Sequence, residues 1–159
     1  MTHNDLLRRL RYALNLDAQE IAEICQLAGL TIKPTDVLKL LKKEEETGFF
    51  ACDDATLSAF LDGLITSRRG AREPSAGGIP ETAPMLNNNL VLRKLRIAME
   101  LTDSDMLDIF RKAEVTVSKA ELSALFRGVG QRNYKECGDQ LLRNFVRGLT
   151  LRVSKDAPK

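Results

Sequence analysis

The sequence predicts an all-α protein made of two tandem four-helix repeats packed around a pseudo-two-fold axis. Three observations predict it. LRRLRYALNL, Leu7 to Leu16, returns as LRKLRIAMEL, Leu92 to Leu101, at an offset of 85 residues. Apolar residues recur at helical spacing along both copies, and no stretch shows the two-residue alternation of a half-buried strand. A proline- and glycine-rich interval, SRRGAREPSAGGIPETAP, separates the copies and reads as a linker.

In chain order, the first helix is expected to start near Asn4 or Asp5, either of which can cap it. Its apolar stripe is Leu6, Leu7, Leu10, Ala13 and Leu14. Arg8, Arg11 and Asn15 lie along one flank of that stripe, and Arg9 points away. Asp17 and Glu20 form a capping box that opens the second helix, with Ile21, Ile24, Cys25 and Ala28 on one face and Gly29 at its end. LTIKPT connects to a short third helix opened by Thr35 or Asp36 and carrying Val37, Leu38, Leu40 and Leu41. The charged run from Lys42 to Gly48 turns the chain, and Phe49 and Phe50 are expected to anchor the turn to the core. The fourth helix begins around Asp53 or Asp54, with Leu57, Phe60, Leu61 and Leu64 inward.

After the linker, residues 89–149 repeat residues 4–64 without a gap. Identities include Ile24/Ile109, Ala28/Ala113, Leu40/Leu125, Cys52/Cys137, Asp54/Asp139, Phe60/Phe145 and Gly63/Gly148. They fall on core positions and helix ends, as two copies of one fold require. The expected organisation is repeat 1 over 1–66, a flexible linker over 67–86, repeat 2 over 87–153 and a disordered tail over 154–159. Each repeat alone has a thin core, so the two are expected to pack together.

Composition narrows the function classes. Hydrophobic residues at 43% and charged residues at 29% are ordinary for a globular protein. No apolar run approaches the ~18 residues of a membrane span, and the N-terminus lacks a signal-peptide pattern, so a cytoplasmic protein is expected. Cys25, Cys52 and Cys137 give neither a disulfide framework nor a zinc pattern. His3 is the only histidine, which removes most catalytic triads and zinc-hydrolase ligand sets. There is no P-loop, dinucleotide fingerprint, HExxH or nucleophile elbow. No enzyme activity, cofactor or metal is expected.

The tandem repeat, the LRxLRxAL-type opening, the Cys-x-Asp pair before the fourth helix, the FLxGL close and the NNN-xVLRKLRIA re-entry together resemble the YehS-like bacterial family. The likeness runs over nearly the whole chain, including Arg69-Gly70 and Glu136 to Gln140. It implies a small cytosolic bacterial protein with a tandem domain of unknown function. It carries over no activity or catalytic residue.

Four groups of residues are candidates for chemistry or contact. Arg8 and Arg11, with their copies Arg93 and Arg96, either present guanidinium pairs to phosphates or fasten each repeat by pairing with Asp54 and Asp139. The duplication of both signs of charge favours the internal pairs. Cys52 and Cys137 precede a helix start, where a thiolate is favoured, but no histidine is available as base and a packed thiol is the expectation. Helix–connector–helix from Ile21 to Leu41, with its copy from Met106 to Phe126, invites a helix-turn-helix reading, yet the turn is long and the second helix holds few base-reading side chains.

The fourth group is electrostatic. Residues 1–70 hold nine Lys/Arg against eleven Asp/Glu, and residues 71–159 hold fifteen against eleven. Arg127, Arg132, Lys135, Arg143 and Arg147 make one interval of repeat 2 basic, where repeat 1 has Glu44, Glu45, Glu46, Asp53, Asp54 and Asp62. With Arg9 and Lys94 on the outer side of the duplicated helix, these cations are the expected contacts to a macromolecule. The reading is a binding protein, a protein-interaction or regulatory adaptor first, with weak nucleic-acid binding through repeat 2 as the alternative. The charge divergence of the repeats also allows self-association.

Overall fold

The computed structural model describes residues 2–69, 86–127 and 131–156. Among these there are eight helices and no strand: α1 His3–Leu14, α2 Ala18–Leu27, α3 Pro34–Leu40, α4 Asp54–Arg69, α5 Asn88–Ala98, α6 Asp103–Lys112, α7 Lys119–Leu125 and α8 Asp139–Asp156. The chain is all-α, four helices to each repeat. Most of the expected linker, residues 70–85, and the last three residues of the expected tail lie outside the described residues.

Helix starts follow local chemistry. Thr2, rather than Asn4 or Asp5, caps α1 by accepting the Asp5 N–H. The Asp17/Glu20 capping box is present, and Thr102/Asp105 and Ser118/Glu121 form its relatives in the second repeat. α3 opens at Pro34 itself, ahead of Thr35, because proline needs no N–H partner in the first turn. Asp53 accepts the Thr56 N–H at the start of α4, which leaves Asp54 as a first-turn acid. α4 continues to Arg69 and α8 to Asp156, past the boundaries at 66 and 153 expected from composition.

Helices α1, α8, α5 and α4 form a closed ring in which each packs on the next. Exchanging the two repeats turns the α1–α8 contact into the α5–α4 contact, which is the pseudo-two-fold relation. α2 packs on both α4 and α3, and α6 packs on both α8 and α7 in the same way. Leu7, Leu10, Leu92 and Leu95 of the duplicated helix are all sealed from solvent, and one apolar core runs through both repeats. At about 1.5–3 kcal/mol per buried leucine, this shared core adds burial that two separate small repeats would lack.

Two duplicated positions lock the repeats. A Cβ on Gly63 would stand 1.8 Å from the Ile24 carbonyl oxygen, and one on Gly148 would stand 1.9 Å from that of Ile109. Only glycine lets α2 and α6 ride this close on α4 and α8. Asn4 and Asn89 are the only buried polar side chains among the described residues. Asn4 Nδ2 donates to the carbonyls of Leu40 (2.9 Å) and Phe50 (2.8 Å), and its Oδ1 accepts the Cys52 N–H at 2.9 Å. Asn89 makes the same three bonds to Leu125, Lys135 and Cys137. One side chain thus ties the first helix to the end of the third and the entry to the fourth. The expected core anchor at Phe49 and Phe50 is replaced by this clamp: the Phe50 carbonyl is held, while the residue is 59% exposed.

Candidate functional site

The expected pairing of the duplicated arginines with Asp54 and Asp139 does not occur. Arg8 Nη1 donates to the Lys42 carbonyl at 2.9 Å, and Arg93 Nη2 donates to the Phe126 carbonyl at 2.6 Å. Both therefore satisfy carbonyls at the C-terminal end of a third helix, the negative end of its dipole. Arg96 pairs with Asp103 at 2.5 Å and lies over the Phe126 ring, 4.8 Å from its centroid. Arg11 is exposed and makes no ion pair among the described residues. Asp54 meets His3 Nε2 at 2.5 Å, and Asp139 accepts from Asn88 at 2.8 Å. Arg8 and Arg93 fasten the first helix of each repeat to backbone carbonyls rather than to the aspartates, because a short helix ending beside α1 or α5 offers unpaired acceptors within reach, whereas Arg96 is held by Asp103 and Arg11 is not held.

The cations expected to meet a partner separate in the same way. Lys94 is not free: it crosses the repeat boundary from α5 to pair with Asp62 of α4. Lys135 pairs with Glu121 at 3.0 Å, Arg127 donates to the Arg132 carbonyl, and Arg143 donates to Gln140 on its own helix. Arg132 stands exposed. Arg9 and Arg147, from opposite ends of the sequence, meet in one place.

That place is a groove of about 320 Å³ between α1 and α8, lined by Asp5, Arg8, Arg9, Tyr12 and by Val146, Arg147, Thr150 and Leu151. Its cations come from adjacent helices because α1 packs on α8 in the ring. Asp5 holds Arg8 at 3.3 Å and Arg9 at 3.1 Å, fixing both guanidinium groups at the rim. Arg147 is exposed and has no carboxylate partner among the described residues. Three guanidinium groups face a single acid. Val146 and the methyl-bearing side of Thr150 supply apolar lining, the Thr150 hydroxyl donating back to the Val146 carbonyl at 2.9 Å. Tyr12, 72% exposed, and Leu151, 43% exposed, stand open to solvent.

The pseudo-symmetric position between α5 and α4 shows what is particular about this groove. There the counterparts of Asp5, Arg9 and Tyr12 are Leu90, Lys94 and Ile97, and those of Arg147, Thr150 and Leu151 are Asp62, Ile65 and Thr66. A cation on one helix meets an acid on the other, and the contact is closed by the Lys94–Asp62 pair. Between α1 and α8 the same two positions are Arg9 and Arg147, both positive. Like charges on facing helices repel unless an anion is placed between them. The groove has the size of a small ligand or of one or two side chains.

The thiols stand away from it and are inert. Burial pushes Cys25 up from 9.0 to about 11, Cys137 to about 11, and Cys52, with Asp53 adding to the effect, to about 12. No group of three or more possible metal ligands occurs among the described residues, and no helix there is long and apolar enough to cross a membrane. α3 and α7 are only seven residues each, too short to fill a major groove as a recognition helix.

A family profile described as a protein of unknown function (DUF1456) matches residues 3–70 and again residues 88–153. The chain is similar to the uncharacterized protein YehS of Escherichia coli (strain K12), with 41% identity over 152 residues and 96% of each chain covered. No solved structure matches the chain.

Proposed function

We propose a binding role for this chain, which belongs to the DUF1456 family of proteins of unknown function: it is a non-catalytic interaction protein whose α1–α8 groove receives an acidic segment of a protein partner. One observation carries the reading. Two equivalent interhelical positions carry a matched ion pair in one case, Lys94 with Asp62, and two cations in the other, Arg9 with Arg147. Arg9 already shares Asp5 with Arg8, so the uncompensated cation is Arg147, and an incoming carboxylate supplies to it what Asp62 supplies to Lys94. Tyr12, Val146 and Leu151 add an apolar surface, which favours a protein segment over a bare anion. The non-catalytic part is supported by the groove chemistry, which offers no thiol or imidazole, and by the engagement of His3 with Asp54 elsewhere. Three unpaired cysteines support a reducing, cytoplasmic setting.

The alternative, nucleic-acid contact through the second repeat, rests on Arg132 and Arg147 standing exposed. Pairing of Lys135 with Glu121 weakens it. Fluorescence anisotropy at ~50 mM salt, where phosphate contacts are strongest, separates the two. A glutamate-rich peptide carrying one phenylalanine is expected to bind, and a neutral peptide of equal length is not. Binding of labelled RNA or DNA without binding of the acidic peptide would reverse the assignment.

A further inference from the structure

We infer that the acidic segment this groove receives is the Glu44–Phe50 turn of a second copy of the chain, in a closed two-fold dimer. The inference rests on the reading of the groove as a site for an acidic protein segment, and it names the partner.

The turn has the complementary chemistry. Glu44 and Glu45 are exposed and have no cationic partner among the described residues, while the Glu46 carboxylate accepts the Lys43 N–H. Of the two flanking lysines, Lys42 is bent inward, its Nζ donating to the Thr47 carbonyl at 2.7 Å, and Lys43 is exposed. Phe50 is 59% exposed although its carbonyl is clamped by Asn4. Two free carboxylates and an open aromatic ring therefore stand on a turn held at both ends. The groove offers the inverse: Arg9 and Arg147 for the carboxylates, Tyr12 and Leu151 for the ring.

Placement decides the symmetry. Arg8 lines the groove and donates to the Lys42 carbonyl, where the chain leaves for the turn. Socket and protrusion thus adjoin on one face. A face that carries both a shape and its complement is self-complementary, so two copies related by a two-fold axis place each turn in the other's groove and close. The second repeat cannot do this. Its groove is shut by Lys94 and Asp62, the sequence positions equivalent to Glu44, Glu45 and Glu46 hold no acid, and Phe50 is replaced by Lys135, which pairs with Glu121. Each chain has one such face, and the assembly stops at two.

Charge exchange tests this on the whole chain by sedimentation equilibrium, with far-UV circular dichroism confirming helicity. The unaltered protein is expected to dimerise, with its dissociation constant rising at least ~10-fold between ~50 mM and ~500 mM salt. Arg9→Glu with Arg147→Glu, and separately Glu44→Lys with Glu45→Lys, are each expected to be monomeric. Mixed in equal amounts they are expected to form a heterodimer, because each acidic turn then meets a basic groove and each basic turn an acidic one. A monomer at all salt concentrations, a dimer indifferent to both variants, an open series of higher oligomers, or failure of the mixture to pair would each overturn the inference. A monomer that still binds the acidic peptide leaves the function standing with a different partner; a monomer that binds no acidic peptide removes both.

Discussion

Replacing Asn4 by alanine tests the clamp that sets the geometry of the first repeat. The change deletes two donors and one acceptor, leaving the carbonyls of Leu40 and Phe50 and the N–H of Cys52 without their partner. An orphaned buried backbone group costs about 1–3 kcal/mol, with the lower figure apt for Phe50, whose surroundings admit water. The sum is about 3 kcal/mol after allowing for solvent entry at the turn. For a chain of this size that lowers the melting temperature by about 6–12 °C. Urea unfolding followed by circular dichroism reads the loss as a lower midpoint at constant slope. Asn89→Ala is expected to cost the same, because its three bonds match in length and partner. Asn4→Asp is expected to cost more than Asn4→Ala, since a carboxylate would face two carbonyl oxygens. An Asn4→Ala protein within about 0.5 kcal/mol of the parent would show that these three bonds do not hold the repeat together.

Gly63→Ala and Gly148→Ala are each expected to cost more than about 3 kcal/mol or to prevent soluble expression, because backbone at 1.8 and 1.9 Å must move; thermal unfolding decides this. The thiols are raised in the folded state, so the stability they contribute is complete below pH 9.0 and is lost as pH climbs toward about 11 to 12, where the folded thiols finally ionise. Urea midpoints between pH 8 and 11 are expected to fall, and less so in a Cys52→Ala protein, while native thiols at pH 8 resist a disulfide reagent that labels the unfolded chain. Asp62→Asn, which breaks the pair with Lys94 across the repeats, is expected to cost about 1 kcal/mol and to leave binding in the α1–α8 groove unchanged.

The repeats and their helices are legible in the sequence because the same residues recur at one offset and the apolar positions keep helical spacing. The glycine pair at 63 and 148 is visible for the same reason, and the Asp17/Glu20 box from its own three-residue spacing. Less legible is what a duplicated polar residue does. Asn4 and Asn89 recur as conspicuously as the arginines, but an asparagine near a helix start reads first as a cap, and its role as an interior hub depends on where the third helix ends. Arg8 and Arg93 were expected to seek carboxylates, and they found helix-end carbonyls because those lie closer once α3 and α7 are placed. The groove is the least legible of all. Arg9 is marked as an outward cation by periodicity and Arg147 only as one of the cations of the basic interval of repeat 2, and their convergence exists only through the packing of α1 on α8. Lys94 carries the same outward signal and is consumed by Asp62.

Arg147 has no carboxylate partner among the described residues, and an external carboxylate is expected to take that place. Titration of the labelled glutamate-rich peptide against the parent, Arg147→Glu and Asp62→Asn proteins at ~50 mM salt tests it directly. Saturable binding to the parent and to Asp62→Asn is expected, with an affinity at least ~10-fold weaker in Arg147→Glu, about 1.4 kcal/mol. Equal affinity for the parent and Arg147→Glu would contradict it.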